Sequence, residues 1–307
     1  MDVLSPLLLA LFVVGYLVLA GADIGLGMLM PKVARTPEQR RRVVAAIAPY
    51  FLASEVWLVA AVGVLAGLFP SLDHHVVTEL WPVLSTLLGA WLVRDAGLWL
   101  RARVDAPSWR AVCDTAVVVG SWVVAGSWGL VLAGLLTGGL APSVFIPLCA
   151  AAVLALFALR GASFGAERLV GEFHDDSADV AARATRVLAR VALGAAVLAV
   201  AAAPLPGGVV TDRPLVAAVL AAVLLAALAL TSGLTGPMLS RHTSAVAMGA
   251  AGVLAALAAR LPMEAVPSTT EVFVWVMLAP AAPVMVLGQV WMYRLARRPA
   301  PQPTFFA

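Results

Sequence analysis

Residues 15–32 read GYLVLAGADIGLGMLMPK. The stretch is apolar enough for lipid, yet it sets a carboxylate, Asp23, among glycines about two helical turns before Pro31 and Lys32. An ionised side chain at membrane depth costs at least ~2.5 kcal/mol on insertion scales. Such a residue faces the protein interior and pairs, or it belongs to an ion or proton route. The rest of the chain sets the frame for choosing between them.

Of 307 residues, 62% are hydrophobic and 12% charged, against roughly 45–50% and roughly 25% in soluble domains. A soluble chain of this composition would have too little polar surface to cover its core. A bilayer removes the conflict, because lipid solvates the excess. The expected fold class is therefore all-α: a polytopic membrane protein of about nine transmembrane helices in bundles, one integral-membrane domain over 1–307. The net charge of +3 comes from arginines in short clusters between apolar runs. These read as topology signals rather than a nucleic-acid surface. Cys113 and Cys149 fall in different spans, so no disulfide framework is implied. Only Asp2 precedes the first apolar run, which is long enough to span and reads as a retained anchor rather than a cleaved signal.

Runs of span length lie at 4–30, 43–69, 76–100, 111–137, 142–166, 181–203, 214–234, 243–262 and 271–295. Lys32, Arg35, Arg40, Arg41 and Arg42 crowd a basic connection over 31–42, and Arg101, Arg103 and Arg110 follow the third run. Arg160, Arg168, Arg183 and Arg186 flank the connection after the fifth, Arg241 follows the seventh, and Arg294, Arg297 and Arg298 follow the ninth. The alternate connections offer only Arg213 and Arg260. The bias predicts an N-terminus outside and a C-terminus in the cytoplasm. The most polar connection, 167–180, holds Asp175, Asp176 and Asp179 and reads as a solvated cytoplasmic loop.

Gly21 and Gly25 stand four apart, a spacing that lets a second helix approach closely, and Gly63 and Gly67 repeat it in the second run. Packing explains the glycines; it does not explain Asp23, which is either a structural ion pair, with an arginine of the next connection, or a member of a proton path. The second run carries Pro49, expected to kink or locally open its helix, and then Ser54, Glu55 and Trp57. Glu55 lies near mid-span, where it either transfers protons or hydrogen-bonds a neighbouring helix as a neutral acid. Arg94 and Asp95, followed by Trp99 and Arg101, are expected to anchor the third helix at the interface with the arginine heads reaching water. Gln289 is expected to bond across helices.

The four histidines, His74, His75, His174 and His242, fall in loops or at span edges. A haem buried between helices needs an axial His, Met or Cys within a span, and no histidine is so placed. No Cys/His spacing suggests a metal site and no phosphate loop is present. The GLG at 25–27 lies inside a membrane helix and is no dinucleotide fingerprint.

The stretch GADIGLGML with its basic connection, then IAPYFLASEVWL and GVLAGLFP, resembles subunit II of the cytochrome bd-type quinol oxidases. WLVRDAGLWLR with WRAVCD, LRGASF, VGEF and VWMYRLARR continue the likeness, which is most specific over 1–70. The resemblance implies a bacterial plasma-membrane subunit that packs on a haem-bearing subunit I of similar topology, among membrane lipids and quinol or quinone. It would bind no cofactor alone, apart from quinone as a bound lipid. Asp23 and Glu55 fall on its proton-path positions, and Trp57 on a tryptophan beside an oxygen path or the subunit interface. Gly21, Gly25, Pro49, Arg94 and Arg101 are structural or interface candidates. Ala20, Ala22 and Leu52 depart from the pattern, leaving the carboxylate chain two members short. The competing reading is a small-molecule or ion transporter, or a structural paralogue serving another membrane complex.

Overall fold

The computed structural model describes residues 4–170, 176–233, 236–264, 266–295 and 305. The described residues form nine helices and no strand: α1 (Leu4–Val33), α2 (Pro37–Leu68), α3 (Pro70–Leu100), α4 (Pro107–Thr137), α5 (Phe145–Arg168), α6 (Asp176–Ala202), α7 (Pro214–Gly233), α8 (Pro237–Ala258) and α9 (Ser268–Leu295). The nine expected runs each become one helix. Their boundaries follow local chemistry. Pro37, Pro70 and Pro107 open α2, α3 and α4, where a missing N–H costs nothing and the fixed φ suits the first turn. Thr36 and Gln39 form a reciprocal capping box on α2. Gly138, at φ 75°, closes α4 in the left-handed conformation that glycine adopts without strain.

Eight helices are long and apolar enough to cross a membrane; α8 is the exception. Its first turns, with Ser240, Arg241, His242, Thr243 and Ser244, dilute its apolarity. Because α8 packs against α1, α5 and α7 inside the bundle, much of it does not need to match lipid. At the centre, α5 touches α1, α4, α6 and α8, whereas α9 lies at the rim against α2 with no buried residue.

Cross-links show which connections share an end. At one end Arg42 donates to the Leu169 carbonyl at 2.7 Å, Arg168 to that of Tyr293 at 3.4 Å, and Arg241 to Glu167 at 2.6 Å. At the other end Ser71 donates to Glu264 and Ser5 to Glu271, both at 2.7 Å. The basic connections thus gather on one face of the bundle.

Three expectations change. The polar 167–180 connection is shorter than expected, because Glu167 and Arg168 close α5 while Asp176 and Asp179 occupy the first turn of α6, where acids favour the helix dipole. Asp2, His174, Asp175, Arg297 and Arg298 lie outside the described residues. The helix α2 runs unbroken through Pro49, which is exposed and forfeits only the bond its own N–H would have made. Finally, α2 passes into α3 through Phe69 alone, a fully buried residue.

Candidate functional site: the ionic cluster between the first three helices

Asp23 on α1 is 1% exposed. Its Oδ2 lies 3.5 Å from Arg94 Nη2 and accepts from Ser54 Oγ at 3.4 Å, while Oδ1 accepts from the Ile24 N–H at 2.6 Å. Arg94 on α3 is 2% exposed, and its Nη1 donates to Asp95 Oδ1 at 3.1 Å. Its Nε has no acceptor among the described residues. Gly120 of α4 brings this arginine inward: a Cβ there would stand 2.7 Å from Arg94 Cβ, so α3 lies tight on α4. Glu55 on α2 is half-buried; its Oε1 accepts from Trp91 Nε1 at 3.0 Å, and its carboxyl faces that of Asp95. Two carboxyl groups, from α1 and α3, thus hold one guanidinium, and a third from α2 stands beside Asp95. At membrane depth such an excess of acid must be neutralised by protons or by an added cation.

Arg94 is therefore no interfacial anchor. It is the core partner of Asp23, supplied by the third helix rather than by the connection after α1. Arg101 is also buried rather than reaching water, because its Nε donates to Asp114 Oδ1 at 2.6 Å; Arg40 approaches Oδ2 of the same acid at 3.5 Å. Trp57, 6% exposed, lies across Gly15 and meets Phe12 in an edge-to-face contact with ring centroids 6.1 Å apart. Gln289 makes no hydrogen bond with a described residue, although α9 touches α2 along its length and α1 and α5 through Glu271 and Tyr293.

The glycines divide by function. A Cβ on Gly25 would fall 1.9 Å from the Phe157 carbonyl oxygen, and one on Gly161 would fall 1.9 Å from the Gly25 carbonyl carbon. Here α1 and α5 cross backbone to backbone. Gly21 faces Met248 and Arg160. Gly63, by contrast, faces open space, so the second small-residue pair forms no crossing in this chain; Gly67 meets only Val274 of α9.

Several participants escaped the sequence reading. The contacts of Asp114 and Trp91 and the pairing of Asp95 with Glu55 join residues tens of positions apart or across a connection, where no local motif marks them. Arg160, fully buried, donates to the Val18 and Arg241 carbonyls at 3.1 and 3.2 Å. Arg168 lies over the Tyr293 ring at 4.7 Å. The available signal was the presence of Arg94, Asp95 and Arg160 in or beside apolar runs, which a topology count treats as edges.

By class, this is a multi-pass membrane protein whose interior charges converge where its first three helices meet. A family model described as cytochrome bd terminal oxidase subunit II matches residues 1–296. A probable cytochrome oxidase subunit 2 from Haemophilus influenzae is 30% identical over 131 residues, covering 43% of this chain and 35% of that protein. Cytochrome bd-I ubiquinol oxidase subunit 2 from Escherichia coli K12 is 28% identical over 132 residues, with the same two coverages. The matched stretch thus spans about a third of each curated relative's length (35%). The structure of bd oxidase from Geobacillus thermodenitrificans shares the fold, with TM-score 0.74 at 15% identity, covering 95% of this chain and 97% of that one.

The chain belongs to the cytochrome bd terminal oxidase subunit II family and is a multi-pass bacterial membrane protein. Among the described residues His74, His75 and His242 stand exposed or half-exposed near helix ends, while Met28, Met30, Met248, Cys113 and Cys149 are buried. No group of three His, Cys, Asp or Glu side chains among the described residues is arranged to hold a metal ion.

Proposed function

We propose that this chain is the non-haem subunit of a bd-type quinol:oxygen oxidoreductase, that it packs on a haem-bearing subunit I, and that its ionic cluster holds and passes protons. The carrying observation is the outward gradation of the cluster. Asp23 and Arg94 are sealed in the core, while Glu55 and Asp95 emerge, half-buried, between α2 and α3. The surrounding surface is apolar, with Leu52, Val56, Val59, Leu88 and Leu92 all exposed. Carboxyl groups opening onto lipid at that depth are costly. A second membrane protein covering the face removes that cost and receives the protons. In this reading the pair Asp23–Arg94 is the fixed structural element, and Glu55 with Asp95 is the exchangeable one. Trp57 shapes the apolar space beside it. The basic face of the bundle is cytoplasmic, in keeping with the arginine bias.

The transporter alternative draws no support from helix geometry. Transporters often carry paired discontinuous helices, whereas α2 and α9 run unbroken through Pro49, Pro280 and Pro283.

The test is to purify the chain with the product of its neighbouring reading frame, record reduced-minus-oxidised spectra, and follow quinol-driven oxygen uptake. Haem signals should co-purify. Glu55→Gln should leave the spectrum intact and slow turnover at least tenfold, a loss within the range for removing one proton-transfer group. A chain that purifies without any haem-bearing partner overturns the assignment. Full turnover in the Glu55→Gln complex reduces the cluster to a scaffold.

A further inference from the structure

We propose that the arginine-lined cleft between α6 and the first turn of α8 binds the phosphodiester headgroup of an anionic phospholipid. The cleft has a volume of about 420 Å³ and is lined by Arg183, Arg186, Arg190, Thr185, Gly236 and Ser240. The three arginines follow a three-then-four spacing, so they form one stripe along α6. The opposite stripe, Ala181, Ala184, Ala189 and Ala192, is buried against the bundle. Arg40, Arg94, Arg101 and Arg241 each find an acid, and Arg42 and Arg160 each find a carbonyl. None of these three is paired or hydrogen-bonded among the described residues. The nearest acids on their own helix, Asp176 and Asp179, lie in its first turn; Asp179 is one turn, about 6 Å, from Arg183, whereas Arg190 stands roughly 16 Å along the axis from it.

The surroundings point to an anion, and then to a lipid. The first turn of α8 has no side-chain cap and no acidic residue, so its positive end adds to the field in the cleft. From Arg190 to the end of α6 the chain is uncharged for about a dozen residues, roughly 18 Å, short of the ~30 Å hydrocarbon core. Arg190 therefore lies at or below the headgroup layer. A free phosphate reaches that depth only by losing water, whereas a lipid phosphate already resides there. Val187 and Val191 are exposed beside the arginines on the bilayer side, a landing surface for an acyl chain. Basic pockets between membrane helices recognise anionic headgroups on this principle.

The full chain in neutral detergent is to be titrated with mixed micelles containing phosphatidylglycerol, with matched phosphatidylcholine micelles, and with inorganic phosphate, and read by native mass spectrometry. One phosphatidylglycerol should be retained preferentially, and inorganic phosphate should not displace it. Arg186→Gln with Arg190→Gln should weaken retention about thirtyfold. The same two positions as lysine should keep most of it, and Arg213→Gln with Arg260→Gln, at the other end of the bundle, should change nothing. Should the double glutamine variant lose its helical circular dichroism, Arg186→Gln alone is read instead, with about a fivefold loss expected. Equal retention of phosphatidylcholine, undiminished binding by a folded glutamine variant, or displacement by inorganic phosphate overturns the proposal.

Discussion

Arg94 ties α3 to α1 through its ion pair with Asp23. Removing one member of a buried pair strands the other in a medium that cannot solvate it, a loss of about 3–5 kcal/mol. Arg94→Gln should therefore destabilise the chain by that amount in thermal unfolding in detergent. Adding Asp23→Asn to it should restore a large part of the loss, giving a coupling of about 1–3 kcal/mol in the double-mutant cycle. The acid was readable in the sequence because nothing else in GYLVLAGADIGLGMLMPK resists lipid. Its partner was not, since Arg94 beside Asp95, close to Trp99 and Arg101, has the local look of a helix end. Only the packing of α3 on α4 at Gly120 turns that arginine inward.

At the scale of helices, glycine spacing marks close approach only when the facing helix supplies an equally bare surface. Gly25 meets Gly161 and satisfies that condition; Gly63 meets nothing. Gly161→Ala should force α1 and α5 apart and abolish recovery of folded protein, as judged by monodisperse size-exclusion elution. Gly63→Ala should be neutral, or stabilise by up to about 1 kcal/mol through helix propensity. Both glycine pairs looked alike in the sequence, because spacing records which face a residue shares and not what that face touches. The same distinction applies to Pro49. The proline is plain in the sequence, but an exposed position lets the helix absorb it.

Across the whole molecule, the nine apolar runs mapped onto nine helices because lipid demands continuous backbone bonding within each segment. The limits of α8 were set instead by its interior position, which no hydropathy count records. The surface also separates into regions that composition cannot distinguish. Leu92 on α3 is 72% exposed and Leu215 on α7 is 79% exposed. A lipid-facing position accepts a larger apolar side chain, whereas a packed protein contact loses about 1–3 kcal/mol to overfilling. Leu92→Trp should therefore reduce the haem-bearing partner recovered with the purified chain, while Leu215→Trp should not. Equal recovery from both would move the docking face away from α2 and α3.

The pairing of Asp23 with Arg94 also bears on how the protein is made. About seventy residues separate the two, and ribosomes add about 5–20 residues per second, so α1 waits some 4–14 s for its counter-charge. During that interval the first helix carries an unpaired acid that costs at least ~2.5 kcal/mol in lipid when ionised. Joint release of α1, α2 and α3 from the insertion channel is the expected outcome, and Asp23→Asn should let α1 enter the lipid earlier in a force-profile measurement of insertion.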